Sequence, residues 1–177
     1  MTCTLNSKSL IVPTHRNMLG TLSGLLAKAA ADPRGDAMMQ ARLAEDMHPL
    51  STQVRFLCNM VGEAMERVAG IDFTSDEEDP ATLAEAQSRI DLTLKQLEEW
   101  AVLDFVADDA AMELALPNGM TFDMTTAEYV RDWAVPQFYF HTLTAYSILR
   151  KEGLEVGKAD FVPHMFRYIR QPGDTAR

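Results

Sequence analysis

The segment from Val135 to Gly153 places one histidine, His141, between an aromatic cluster and an apolar helical run. Histidine is the side chain whose ordinary pKa lies closest to neutral pH, so it is the first candidate for proton transfer. On a helix, Gln137 and His141 fall on one face because they are four residues apart. We therefore predict that His141 lies on an inward face and acts as an acid or base. A purely structural core histidine gives the same pattern, and this alternative stays open.

A proton-transfer site also needs a counterpart for His141 and side chains that hold the substrate. His15 and His48 are the candidate counterparts, and the hydroxyl of Tyr146 is a candidate hydrogen-bond donor. The predicted catalytic residues are thus His141, His15, His48 and Tyr146. The predicted substrate-binding residues share a helix with His141 and are Trp133, Gln137, Phe140 and Thr144.

A metal site is another use for these histidines. A catalytic zinc takes about three protein ligands, and two histidines on one helix need a four-residue spacing. Gln137 and Ala145 occupy the positions four residues from His141, so this pair is missing. Other ligands would have to come from His15, His48, Glu45 and Asp46. No metal ligand is assigned, although a divalent metal stays open as a cofactor.

Other common chemistries lack their motifs. The sequence has no Gly-rich phosphate loop, no GxSxG elbow and no CxxC pair. Nucleotide hydrolysis, serine-hydrolase chemistry and dithiol chemistry therefore have no support. Cys58 falls on an apolar helical face, where a thiol behaves as a small hydrophobic side chain, and Cys3 and Cys58 are too few for a disulfide framework.

Four amphipathic segments must position these residues. Helices are predicted from Leu10 to about Ala31, from Pro49 to Gly70, from Thr82 to Trp100 and from Thr125 to Lys151. Their apolar residues recur at spacings of three and four, which is typical of helices with one buried face. The stripe of the second helix is Leu50, Val54, Leu57, Cys58, Val61, Met65 and Val68. Four such helices without a repeating strand pattern predict an all-α four-helix bundle.

Glycine and proline set several local expectations. Pro13 should lie in the first turn of its helix, where the missing N–H costs nothing. Gly20 and Gly24 should allow a close neighbour because they carry no side chain. Pro136 should kink the fourth helix one turn before His141. A kink there would open a small cavity lined by Trp133, Phe140 and Tyr146.

A β-hairpin is predicted between the third and fourth helices. Two short apolar runs flank Asn118 and Gly119, a dipeptide favoured in tight hairpin turns. We regard this hairpin as an addition to the bundle.

Composition limits the function classes. The chain has 177 residues, the usual size of one domain, and a formal charge of −10. Clustered lysine and arginine drive binding to phosphate backbones, so nucleic acid is disfavoured as a partner. The sequence has no run of about 20 apolar residues and no secretory signal pattern, so we expect a cytoplasmic protein that does not span a membrane.

The segments around the three histidines carry a family resemblance. FYFHTLTAYSILRKEGLEVGKADF, ARLAEDMHPLSTQV and VPTHRNMLGTLSGLLAKA together resemble an uncharacterised domain-of-unknown-function branch of the DinB/YfiT-like helical bundles. The resemblance covers about residues 8–162 and leaves 163–177 as a C-terminal extension of a single domain. It implies a four-helix bundle that is often a homodimer.

The resemblance also bears on the site. Better-studied relatives bind a divalent metal with three histidines, two of them as HxxxH on the fourth helix, and include thiol-dependent transferases and hydrolases. Here only His141 matches that pattern, so the metal triad does not carry over. In the branch, the positions of His15 and His48 are usually aromatic. Each is therefore either a new imidazole near His141 or a flat ring that replaces Phe or Tyr.

These observations lead to three function hypotheses. The first is a protein that binds a small, largely apolar molecule, with metal-independent acid–base chemistry of the isomerase, dehydratase or cyclase type if it is an enzyme. The second is a DinB-like metal-dependent transferase or hydrolase. The third is a non-catalytic dimeric binding or stress protein.

Overall fold

The computed structural model describes residues 6–170 and shows four long helices. They are α1 (Ser7–Ala31), α2 (Leu50–Ala69), α3 (Leu83–Trp100) and α4 (Val135–Lys151). Helices α1 and α2 each pack against both α3 and α4. The order of the helices around the bundle is therefore α1, α3, α2, α4. Helix α4 packs along two seams, one formed with α1 and one formed with α2. This confirms the predicted four-helix bundle.

The predicted apolar stripes form the core. Every residue of the α2 stripe is buried, as are Ile11, Met18, Leu22, Leu25 and Ala29 of α1. Pro49 is the N-cap of α2, and Gly70 ends the helix in the left-handed conformation with a φ of 66°. Cys58 is a buried free thiol whose pKa burial raises to about 11, so it is not a nucleophile at neutral pH. Cys3 lies outside the described residues.

The start of α1 differs from the prediction. Asn6 and Ser9 form a reciprocal capping box, which begins the helix one turn earlier than Leu10. Pro13 consequently lies in the second turn rather than the first, and it provides no N–H for the carbonyl of Ser9. The predicted end at Ala31 is confirmed.

The expectation for Gly20 and Gly24 was wrong. Both are exposed, and a Cβ added at either would meet no atom within 4 Å. The close approach occurs instead at Gly62 of α2, where an added Cβ would collide with the ring of Phe73. Phe73 in turn contacts Trp100 edge to face at 6.3 Å between centroids.

Helix α4 is the last part of a longer helical segment. A turn of α-helix at Thr126–Glu128 is followed by π-helix at Tyr129–Ala134, which leads directly into α4. The Val135 N–H donates to the carbonyl of Val130, five residues earlier. Pro136 predicted a kink here because proline has no N–H to donate to the carbonyl of Asp132, four residues earlier. The π-helical turn lies at this position.

The hairpin is confirmed and packs against the bundle. Strands β1 (Ala111–Ala115) and β2 (Thr121–Thr125) pair antiparallel, and Gly119 in the turn has a φ of 87°. Leu114 is buried, and its cross-strand partner Phe122 contacts the ring of Trp133 at 6.3 Å. The hairpin is therefore more than an addition, because it supports the π-helical turn.

The remaining regular structure is short. A 3₁₀ helix at Gly35–Gln40 lies in the connection between α1 and α2. After α4, a single helical turn, α5 (Lys158–Phe161), is followed by a 3₁₀ helix at Pro163–Tyr168. None of the described helices is both long enough and apolar enough to cross a membrane.

Candidate functional site

His141 is held by a glutamine of the neighbouring helix. Its Nδ1 lies 2.8 Å from Oε1 of Gln53, which is almost completely buried on α2. The Nε2 of Gln53 donates to the carbonyl of His48 at 3.2 Å, so its Oε1 must face the imidazole. An amide oxygen only accepts, and Nδ1 of His141 therefore carries the hydrogen. This leaves the lone pair of Nε2 as a hydrogen-bond acceptor.

Burial keeps His141 neutral at physiological pH. Desolvation is the main cause that lowers the pKa of its imidazole to about 4, and the nearby charge of His48 contributes in the same direction. A base is most effective when its pKa lies near the working pH. His141 is thus a good acceptor of hydrogen bonds and a weak base in the free protein.

Aromatic rings surround His141 at the α2–α4 seam. Phe56 of α2 lies between His48 and His141, with each imidazole edge to face at 5.2 Å. Phe140 contacts His141 at 5.1 Å and is 57% exposed. His48 is also exposed. The imidazole of His141 is consequently one wall of an open aromatic surface.

A recess of about 120 Å³ lies along the same seam. Its walls are Met60 and Glu63 of α2, and Tyr129, Trp133, Ala134 and Gln137 of the π-helical turn and α4. Gln137 is one helical turn before His141, and Met60 is one turn after Phe56. The recess and the aromatic surface are therefore neighbours along one seam, and we call the two together the α2–α4 groove.

The predicted residues divide between this groove and other places. Of the residues predicted to bind substrate, Trp133 and Gln137 line the recess, and Phe140 contacts His141. Thr144 is buried, and its hydroxyl donates to the carbonyl of Phe140 at 2.8 Å. Tyr146 packs on Phe161 of α5 at 5.6 Å. Phe140 and Tyr146 do not line the recess beside Trp133, so the predicted composition of that cavity was wrong.

His15 lies in the other seam of α4. Its ring packs on Phe138 with 4.2 Å between centroids and a tilt of 32°, it is 1% exposed, and neither ring nitrogen has a hydrogen-bond partner among residues 6–170. Burial lowers its pKa to about 3. A substrate cannot reach a ring enclosed in this way, so the geometry does not support His15 as the counterpart of His141. Only His48 remains near His141.

Four groove residues of α2 were missed by the sequence reasoning, namely Gln53, Phe56, Met60 and Glu63, as were Tyr129 and Ala134 of the π-helical turn. A signal existed for Gln53, because it stands three residues after Leu50 and four before Leu57, on the buried stripe of α2. A polar side chain at such a position must find a partner inside the protein. The other three lie on the flank of α2, and nothing in their spacing marks that flank.

The donor set does not fit the three-histidine metal site of the better-studied bundles. The groove offers the imidazoles of His141 and His48, the amides of Gln53 and Gln137, which are weak ligands, and one carboxylate, that of Glu63, in the recess beyond Gln137. Glu45 and Asp46, the other candidate ligands, are exposed. Within residues 6–170, no three His, Cys, Asp or Glu side chains lie close enough together to hold a metal ion.

The fold and the seam at α4 define a DinB-like four-helix bundle. The chain is similar to the crystal structure of a DinB family member protein from Shewanella denitrificans, with a TM-score of 0.72 and 29% sequence identity over 96% of this chain and 95% of that one. Residues 9–162 match the model of a domain of unknown function, DUF1993. The chain belongs to the DUF1993 family. Among curated proteins, none matches the chain.

Proposed function

We propose that this protein binds a small, largely apolar molecule in the α2–α4 groove. The observation that carries the proposal is the buried Gln53 holding His141 so that Nε2 is free to accept a hydrogen bond. Exposed Phe140 and partly exposed Phe56 provide apolar surface around that acceptor. Such a combination of apolar walls and one oriented polar atom is typical of small-molecule sites.

A pair of simple probes tests this proposal. The probe 4-methylphenol has a hydroxyl that can donate to His141 Nε2, whereas toluene has the same ring without it. We expect 4-methylphenol to bind more tightly than toluene and to shift the His141 ring signals in NMR spectra. His141→Phe keeps a flat ring and should weaken 4-methylphenol binding by up to about tenfold, to the level of toluene.

His164→Phe is the matched control, because it removes an imidazole near the C-terminal end of the described chain. It should leave both affinities unchanged. Equal binding of the two probes to the unmodified protein, or an unchanged 4-methylphenol affinity in His141→Phe, would contradict the proposal.

Proton transfer is the catalytic form of the same proposal. His48 and His141 flank one ring, Phe56, which favours His48 as the counterpart of His141. The reaction class would be isomerisation, dehydration or cyclisation of an apolar substrate without a metal. Since the pKa of His141 is about 4 in the protein without ligand, a bound substrate would have to raise that pKa for His141 to act as an effective base.

A homodimer is the proposed assembly. Residues 135–149 contain no Asp, Glu, Lys or Arg in a chain of net charge −10. Tyr139, Phe140 and Leu143 on this stretch are 40%, 57% and 51% exposed. A helix that is uncharged on all faces is usually buried. We therefore place the contact between two copies on the outer face of α4, where like charges do not repel.

A further inference from the structure

The recess at the far end of the α2–α4 groove from His141 contains one carboxylate, that of Glu63. Its Oε1 accepts a hydrogen bond from the Ser75 hydroxyl at 2.7 Å. Among residues 6–170, no Lys, Arg or His nitrogen lies within 4.0 Å of this carboxylate. Arg67, one turn further along α2, donates instead to the backbone carbonyl of Glu63. Glu63 thus lines the recess without a salt-bridge partner from this part of the chain, and Arg67 is held at the backbone carbonyl of Glu63 rather than at its carboxylate.

Aromatic and soft side chains form most of the remaining wall. The wall includes the aromatic residues Trp133 and Tyr129 and the thioether-containing Met60. The contact with Phe122 of β2 fixes the Trp133 ring from the hairpin side. Tyr129 is 3% exposed, and the Arg67 guanidinium already lies 5.8 Å from its ring centroid, outside the recess. Rings of this type attract cations through the negative potential of their faces.

The chemistry of the wall selects among ligand classes. No Lys or Arg of the described chain lines the recess, and Glu63 repels anions, so a carboxylate or phosphate group does not fit. Calcium and magnesium need six or more oxygen ligands, and these walls are largely apolar. An alkylated ammonium group fits both features, because its charge faces the carboxylate and the rings while its methyl groups contact apolar surface.

The size of the recess limits the group that enters it. A volume of about 120 Å³ corresponds to about four water molecules. Only a head group of a few heavy atoms can enter, and the rest of the ligand must continue along the groove. Eight residues separate Trp133 from His141, which is about 12 Å along a helix.

We propose that the Glu63–Trp133 recess binds the ammonium head of a small alkylated amine whose remainder extends toward His141. This deepens the proposed binding function and depends on it for the remainder of the ligand. The net charge of −10 assists by raising the local concentration of cations around the protein.

Choline and 3,3-dimethylbutan-1-ol separate charge from shape, because they have nearly the same shape and only choline is charged. Binding is followed by calorimetry and by the indole N–H signal of Trp133 in NMR spectra. We expect choline to bind about tenfold more tightly than the alcohol and to shift the Trp133 signal. Equal affinities, or a Trp133 signal that does not move, would overturn the proposal.

Glu63→Gln keeps the shape of the side chain and removes its charge. It should reduce the preference for choline to less than about twofold, with an unchanged circular dichroism spectrum. Glu66→Gln is the matched control, since Glu66 is exposed on the same helix and does not line the recess. The same loss in both variants would show that overall charge is responsible and would overturn the proposal.

The 4-methylphenol experiment distinguishes this inference from the function on which it is based. If 4-methylphenol binds through His141 and choline does not bind, the groove remains a binding site and the ammonium assignment is wrong. If choline binds with the Glu63 dependence described and 4-methylphenol does not, the recess assignment stands and the role of His141 fails. Failure of both probes would overturn both proposals.

Discussion

The ring of His15 lies 4.2 Å from the ring of Phe138, and both nitrogens of His15 are enclosed without a hydrogen-bond partner from the described part of the chain. Burying an imidazole in this way costs the hydration of two polar atoms and returns no hydrogen bond. The stacking contact accounts for the position of the ring, since a flat side chain fits between α1 and α4. The same space would accept a ring without nitrogen.

His15→Phe should therefore stabilise the protein. Removing an unsatisfied buried polar group is worth about 1–3 kcal/mol, less any strain from the larger ring. For a chain of this length, each 1 kcal/mol raises the melting temperature by about 2–4 °C. Thermal unfolding followed by circular dichroism checks the prediction. His48→Phe, at an exposed site, should change the melting temperature little, and a lower melting temperature for His15→Phe would contradict the prediction.

Acid should destabilise the protein in part through His15. Its pKa is about 3 in the folded state and 6.5 in the unfolded chain, so the unfolded state binds more protons between these values. The stability is fully present above pH 6.5 and falls by about 1.4 kcal/mol for each pH unit from there toward pH 3. Urea unfolding at pH 7, 5.5 and 4.5 measures this slope. In His15→Phe the free energy of unfolding should fall less steeply with decreasing pH. Part of the dependence should remain because the pKa of His141 is also lowered. An unchanged slope would show that His15 does not titrate in this way.

The sequence predicted the elements of the fold well because helical periodicity and caps are local properties. The ends at Ala31, Gly70, Trp100 and Lys151 depend on residues within a few positions of each end. The short helices at Gly35–Gln40, Lys158–Phe161 and Pro163–Tyr168 were not predicted, and neither was the early start of α1, where the capping box of Asn6 and Ser9 was not recognised. A cap of this kind overrides the expectation that Pro13 stands in the first turn.

The site could be predicted only in part because α4 has two inner seams. Periodicity indicates that His141 and Phe138 both face neighbours, but it does not say which helix each one meets. The fold places α1 beside Phe138 and α2 beside His141, so His15 and His141 lie in different seams. The partner of His141, Gln53, is 88 residues away in the sequence, and no local pattern connects them.

Gly62 should not tolerate alanine. The added methyl group would occupy the space of the Phe73 ring, which packs directly on the glycine. Displacing this partly buried ring costs about 1–3 kcal/mol, and the urea midpoint of Gly62→Ala should fall accordingly. Gly20→Ala is the control, because that site is exposed and open, and alanine there should stabilise the helix by about 0.5–1 kcal/mol. Equal midpoints for the two variants would refute the close contact.

A negative charge at position 53 should raise the pKa of His141. In Gln53→Glu a carboxylate would replace the amide oxygen beside Nδ1, and an opposite charge favours the imidazolium form. The pKa, about 4 in the unmodified protein, should move to 6.5 or higher in an NMR titration of the ring protons. Gln87→Glu on α3 adds the same charge away from His141 and should leave the titration in place. If Gln53→Glu folds and the titration is unchanged, the Gln53–His141 hydrogen bond is absent in solution.

Leu143 provides the test of the proposed homodimer. Its side chain is 51% exposed on the uncharged outer face of α4, so two copies packed through this face would bury it. Light scattering should give twice the 19.7 kDa mass of the chain for the unmodified protein. Leu143→Glu should give the mass of a single chain, because a dimer of this variant would bury an unpaired charge from each subunit. Leu92→Glu is a matched control on α3, where the leucine is 57% exposed, and it should remain dimeric. A single-chain mass for the unmodified protein would reject the dimer, and dissociation by Leu92→Glu alone would move the interface to α3.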